Sequence, residues 1–468
     1  AWMSKVGGGG GRGKLRSSQY ALLAGEGSAA GADSHYSSQP ESGPLSVATA
    51  LGDARGSAGV ATAWARAAED LGDGARGELE SLRLDRKDLT EVPTLGRLPH
   101  LHVLNLARNR LSCLPEDLDN WVPRLECLRL EHNLLHGTLE ASVVQLVRLQ
   151  VLTLDDNNLS ALPPGLGRLL ALRELSVARN RLEGLPESIG GCKALRVLSI
   201  SGNPIRRLPD ALFSQCASLE ELWARNNHLE ALPSTLSLAT ALQKLDVGSN
   251  CLSVFPDLSR LVSLEGLWCF GNHLTALPTG LDGCVSLRIL NLDGNRLSEL
   301  GTARDGIARL RSLRILSAAE NAIKKVGPEL GNSKTLAATL HALDLRGNGL
   351  ARIPTSLGRL RSLATCQILE GNQTLSQEIR RIFSPHRVTK DRVVKSPAVN
   401  SRKSSTSTST YPQTSVTSEE RAALARTLSN ALDYLQAMDD ELEECRDWSP
   451  GFRRKSQETG TYATATAE

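Results

Sequence analysis

The chain has 468 residues and a formal net charge of +3, too little to draw nucleic acid by bulk attraction. Aromatic residues make up only 3%, so a large core must be aliphatic, and no run of about 18 apolar residues is present that could span a membrane. Nine cysteines without a C-x-x-C pair, and the lack of a leader-like apolar run (Ala21 to Gly25 is too short), lead us to expect reduced thiols and a cytoplasmic location.

Residues 1–58 are rich in Gly, Ser and Ala and cannot bury enough surface to offset the entropy of ordering, so they are expected to be disordered. Gly8, Gly13 and Lys14 have phosphate-loop spacing, but Leu15 stands where a magnesium-binding hydroxyl is needed, so no nucleotide site is assigned there. Val60, Trp64, Ala67 and Leu71 share one helical face, which predicts a capping helix over 59–78.

From 79 to 372 one pattern recurs. It has apolar residues at positions 1, 4, 6 and 11 and Asn at position 9, and most copies end in an apolar residue and Pro. Leu219, Leu222, Ala224, Asn227, Leu229 and Leu232-Pro233 make one copy; Leu264, Leu267, Cys269, Asn272, Leu274 and Leu277-Pro278 make another. Copies start at residues 79, 101, 125, 149, 172, 195, 219, 242, 264, 287, 313 and 340, and a degenerate thirteenth begins near Ala364. A fixed period of this length predicts a solenoid, in which each coil buries its apolar face only against its neighbours. Positions 3 to 5 are expected to form a short parallel strand, with 4 and 6 inward and 3, 5 and 7 outward. Each buried Leu contributes about 1.5–3 kcal/mol. Patterns such as Leu166/Leu169 and Leu357/Leu360 predict short helical turns on the convex side. The Asn amide can both donate and accept, so the ladder from Asn109 to Asn348 is expected to satisfy backbone groups inside the turns; Lys87 takes its place in the first copy. The longer copies at 287 and 313 are expected to loop out at Gly301–Gly306 and Asn332–Thr339.

Beyond Asn372, Leu375, Ile379, Ile382 and Phe383 suit a C-terminal cap over 373–390. Residues 391–416 read as a disordered, basic, Ser/Thr-rich linker. In 417–447, Leu424, Leu428, Leu435, Met438 and Leu442 lie on one seam of a coiled-coil-like helix, so residues 418–447 could take a helix partner or self-associate. Residues 448–468 are expected to be a disordered tail.

No catalytic constellation, cofactor motif or metal-ligand spacing is found, so neither enzyme activity nor a cofactor is expected. Glu131, Asp155 and Asp156 could face a cation or form an ordinary charged surface. The outward rows carry more information. Ser176 and Ser199 belong to a low floor of small residues, and beside it stand Trp223, Arg225, Lys244, Asp246, Trp268 and Phe270. Trp and Arg are common binding anchors, so these residues are candidates for a protein-binding patch on the concave face. The alternative is that the rings lie flat and stiffen the sheet.

The repeats as written, for example "LSVARNRLEGLPESIGGCKA", resemble the intracellular Leu-Pro class of leucine-rich repeats, which includes Ras-suppressor-like and plant Ras-group proteins. "RGELESLRLDRKDLTEVP", "LQKLDVGSN", "LEELWARNN" and "QILEGNQTLSQEIRRIF" carry the likeness over residues 76 to 385. Gln373 stands where that class has Pro, and Gln367 falls on an apolar position in this reading. The resemblance implies an α/β solenoid, a leucine-rich-repeat horseshoe of about 13 repeats with parallel strands on its concave face. It also implies a cytoplasmic binding scaffold, with no catalytic residues to carry over. The expected function is a non-enzymatic scaffold in intracellular signalling. A regulatory subunit of an enzyme (a phosphatase, a small-GTPase pathway, a ubiquitin ligase) or a cytoskeletal component are the alternatives.

Overall fold

The computed structural model describes residues 55–64, 79–368 and 372. A single parallel sheet of thirteen strands runs through the repeats in sequence order. Its strands, β1 to β13, are Ser81–Arg83, Val103–Asn105, Cys127–Arg129, Val151–Thr153, Glu174–Ser176, Val197–Ser199, Glu221–Trp223, Lys244–Asp246, Gly266–Trp268, Ile289–Asn291, Ile315–Ser317, Ala342–Asp344 and Thr365–Gln367. In β1 to β12 they fall on repeat positions 3 to 5. From β1 to β12 the inward Leu of each strand is paired in register with that of the next, as Leu222 is with Leu245 and Leu245 with Leu267. These residues sit at or near zero exposure in one continuous core from Val60 to Ile368.

The ladder Asn explains why each strand ends after three residues. Asn227 donates from Nδ2 to the carbonyls of Ala224 in its own coil and Ile200 in the coil before, and its Oδ1 accepts from Ile205 N–H. Every Asn from Asn109 to Asn348 repeats the pattern, and Asn372 closes it on Leu345 and Leu350. Just before each ladder Asn, from Arg108 to Gly347, the chain turns through a left-handed residue with φ between +51° and +69°. Seven of these are not glycine. Their strain is held by a backbone bond to the next coil, as in His132 N–H to Asp155 O at 2.9 Å.

On the convex side Pro186, Pro209, Pro233 and Pro354 stand in extended conformation at the start of short helical turns, where a missing N–H costs nothing. The turns expected at Leu166 and Leu357 are present as Leu166–Arg168 and Thr355–Arg359. Neighbouring coils approach closely here: a Cβ on Gly283 would collide with the backbone of Ser259, and one on Gly331 with that of Ser356.

At the amino end a helix, α1, covers 56–64, so the expected boundary at 58/59 falls inside it. Val60 and Trp64 are buried, and Trp64 Nε1 donates to Leu95 O at 3.1 Å. Ser57 Oγ accepts from the N–H groups of Thr90 and Glu91, and the Lys87 carbonyl, at the position of the missing ladder Asn, accepts from Gly56 N–H. Ala67 and Leu71 lie outside the described residues, as do residues 1–54 of the expected disordered start, the expected cap over 373–390, the linker, the 417–447 seam and the expected disordered tail; residues 56–58, expected to be disordered, are helical.

Two expectations are corrected. Asn332–Thr339 does not loop out: Lys334–Thr339 is a helix, N-capped by Ser333, with Leu336 fully buried. The thirteenth repeat starts at Leu363 rather than Ala364. In β13 it is Cys366 that pairs with Leu343 and points inward, while Gln367 pairs with Asp344 and faces out. One extra residue separates the strand from Asn372, whose Nδ2 reaches Ile368 four residues back instead of three. Counting back from the Asn therefore slips the register by one and exchanges the faces.

Candidate functional site

The outward row at position 5 brings Trp223, Asp246 and Trp268 onto consecutive strands β7, β8 and β9. The two indoles stack across the middle strand, with ring centroids 5.9 Å apart and planes at 29°. Asp246 beneath them is 1% exposed, and its Oδ1 accepts from Gly248 N–H at 2.9 Å. The row at position 7 repeats this bridge: the Phe270 ring lies over Gly248 and meets the Arg225 guanidinium, whose Cζ is 5.0 Å from the ring centroid. Trp268 folds back over Gly266 in its own strand, where a Cβ would strike the indole.

A freely projecting patch is thus not what the fold makes of these residues. Trp268 is 7% exposed and Arg225 6%, while Trp223, Lys244 and Phe270 are half-buried. The rings lie flat as a roof over β8, a contact contributing about 0.5–1.5 kcal/mol beyond area burial. The face they leave to solvent carries Lys244. Its Nζ is 2.9 Å from Glu221 Oε1 and 5.7 Å from the centroid of Trp223, and Trp223 Nε1 donates to Glu221 Oε2 at 3.1 Å. Gly248 and Gly266, which seat the rings, were not singled out in the sequence; the signal was a Gly one coil before or two residues before an outward aromatic.

The floor beside this roof is polar and internally bonded. Ser176 Oγ donates to the Asp155 carboxylate at 2.7 Å, and Ala178 N–H donates to it at 2.6 Å. Ser199 is half-buried on the next strand, in register with both Ser176 and Trp223. The same arrangement recurs toward the other end: Ser317 Oγ and Ala319 N–H donate to Asp293 Oδ1 at 2.6 and 2.7 Å. Position 7 lies just past each strand, where its N–H needs a partner. Here a carboxylate from the preceding coil serves, and elsewhere the position-5 side chain of the same coil does, as Asn105 for Ala107 and Asp344 for Arg346. Burial pushes the Asp155 carboxyl up and the Asp293 carboxyl up to about 6, against the lowering effect of these hydrogen bonds.

Glu131, Asp155 and Asp156 are each engaged by protein groups. Glu131 pairs with Arg129 at 2.7 Å and accepts from Thr153 Oγ1, and Asp156 takes a two-point bond from Arg179. Among the described residues no cluster of three or more potential metal ligands is present.

The Leucine rich repeat family profile matches residues 147–205 and 170–229. Among solved structures, a leucine-rich-repeat protein of Leptospira interrogans is 25% identical with a TM-score of 0.55, covering 68% of this chain and 86% of its own. This chain is a leucine-rich-repeat solenoid. The ectodomain of the plant membrane receptor kinase GASSHO1/SCHENGEN3 from Arabidopsis thaliana, in complex with Casparian strip integrity factor 2, is 27% identical with a TM-score of 0.50. The match covers 63% of this solenoid chain and 39% of the plant chain, well under half of the latter. A TDR receptor, 24% identical with a TM-score of 0.57 over 69% and 59% of the two chains, shares the fold. No curated protein sequence matches significantly. Leucine-rich-repeat folds generally serve as interaction modules, and no helix among the described residues is long and apolar enough to cross a membrane.

Proposed function

We propose that the chain is a non-enzymatic scaffold that binds a protein partner on the concave face, around Trp223, Lys244 and Phe270. The observation that carries this reading is the aromatic roof itself. It is pre-assembled by stacking and by the glycines beneath it, so its half-buried faces meet a partner with little ordering cost. The plant ectodomain similar to this chain, whose structure holds a bound factor, supports a binding role for the fold. The likeness to the Ras-suppressor class and a place in signalling belong to the same proposal, as does a cytoplasmic location. The eight described cysteines are free thiols, which suits a reducing compartment.

The test compares partners captured by the full chain with those captured by a Trp223→Ala/Trp268→Ala variant, with thermal unfolding of both measured alongside. Loss of at least tenfold in affinity in a variant that still unfolds cooperatively is expected. Unchanged affinity for every partner of the wild-type protein would sink the proposal.

A further inference from the structure

The outward row at position 3 changes character between β8 and β9. On β7 and β8 it carries Glu221 and Lys244, paired with each other at 2.9 Å. From β9 onward it is apolar. Gly266 leaves its place on β9 without a side chain, and the Trp268 indole folds back into that place. Ile289, Ile315 and Ala342 follow on β10, β11 and β12, each in register with the next and each half-buried. The ring and the three side chains make one apolar ribbon across four coils, about 14 Å long and continuous with the aromatic roof. Its two borders differ. On the position-5 side the polar groups are taken: Ser317 Oγ donates to Asp293 at 2.6 Å, and Asp344 pairs with Arg346 at 2.9 Å. On the rim at position 2 stand Arg288 and Arg314, with the exposed Arg311 just ahead of the latter. Arg288 is 3.3 Å from Glu265, whereas Arg311 and Arg314 have no carboxylate at ion-pair distance among the described residues.

An apolar ribbon with cationic excess along one border is complementary to a partner that is apolar along its centre and acidic along one flank. The spacing of the coils selects the partner's backbone. Neighbouring strands lie about 4.8 Å apart. An α-helix laid across them advances about 5.3 Å for each three or four residues along a seam, so it offers one apolar side chain to every coil. An extended segment offers one only about every 6.8 Å and is a full coil out of step by β12. We propose that β9 to β12 dock an amphipathic helix of the partner, with its apolar seam along Trp268, Ile289, Ile315 and Ala342 and its acidic flank toward Arg311 and Arg314. This rests on the concave-face reading above and names the form and charge of what that face takes.

The probe is a fluorescein-labelled, eighteen-residue peptide with leucines at alternating three- and four-residue steps, glutamates along one flank and glutamines elsewhere. It is titrated with the full chain and followed by fluorescence anisotropy. Saturable binding is expected. Ile315→Gln, or glutamine in place of the peptide's central leucine, weakens it by about tenfold or more. Arg314→Gln, or glutamine in place of the peptide's glutamates, weakens it by about fivefold at low salt; the two together add little more, and the difference vanishes at high salt. A proline in the middle of the peptide abolishes binding. Val103→Gln, on the same row at β2, binds as wild type. No saturable binding, equal binding of a lysine-flanked or proline-broken peptide, or wild-type affinity in Ile315→Gln each overturns the proposal. The capture comparison with Trp223→Ala/Trp268→Ala decides the concave-face reading separately. If that variant loses its partners while Ile315→Gln keeps them, the reading stands and the helix seat falls; if both variants keep every partner, both fall. Circular dichroism of each variant separates a lost contact from a lost fold, and the changes made in the peptide leave the protein untouched.

Discussion

The most exacting residues are polar ones that the sheet has drawn inside. Asp293 ionises at about 6 in the folded chain because it is buried, against 3.8 for the free group. The folded state therefore holds its proton more tightly than the unfolded one. The resulting stability is fully present below pH 3.8 and is lost as pH rises toward and past 6. Asp293→Asn keeps an oxygen for Ser317 Oγ and Ala319 N–H, so it is expected to raise stability at pH 7 by up to about 3 kcal/mol and to flatten the slope between pH 4 and 6 in denaturant titrations. The ladder behaves oppositely. Asn227→Ala strands the carbonyl of Ile200 and the N–H of Ile205 inside the core. A loss of about 3 kcal/mol or more is expected, visible as faster hydrogen exchange at 200–205. The sequence made the ladder legible because one residue type does one job in every coil. It hid the roles of Asp155 and Asp293, because their partners, Ser176 and Ser317, lie more than twenty residues away and become neighbours only when coils stack.

At the scale of the element, the repeat was read almost whole: the strands, the inward Leu rows and the proline-started turns all follow from spacing. Reading failed where spacing is interrupted. A single extra residue before Asn372 moved Gln367 to the wrong face, and the extra segment at 332–339, outside the repeat spacing, concealed a helix. The orientation of the aromatic side chains was also out of reach. Position 5 fixes only the face of the sheet, and whether Trp268 stands up or lies down is decided by the absence of a Cβ at Gly266. The convex glycines give a sharp contrast. Gly283→Ala pushes a methyl into the Ser259 backbone and is expected to cost about 1–3 kcal/mol in chemical denaturation. Gly184→Ala meets nothing within 4 Å and is expected to change stability by no more than about 0.5 kcal/mol.

Across the whole molecule, stability is a chain of nearest-neighbour contacts, so damage should stay local. Trp64 covers the open side of the first coils with its ring and its bond to Leu95. Trp64→Ala is expected to cost about 3–5 kcal/mol at that end. Limited proteolysis should then cut within 79–125 while fragments spanning 219–368 persist; uniform loss of protection would contradict this. The ladder adds a direction to such fraying. Each Asn holds a carbonyl and an N–H of the coil before it, and nothing in the ladder reaches forward. Every coil is thus locked by its successor, as a row of roof tiles is held by the course laid over it. Removing residues after Asn348 unlocks Leu345 and Leu350, whereas removing α1 leaves every lock in place. Two truncations of equal length at opposite ends should therefore differ in kind: one bares an apolar side, and the other frees the backbone of the coil next in line.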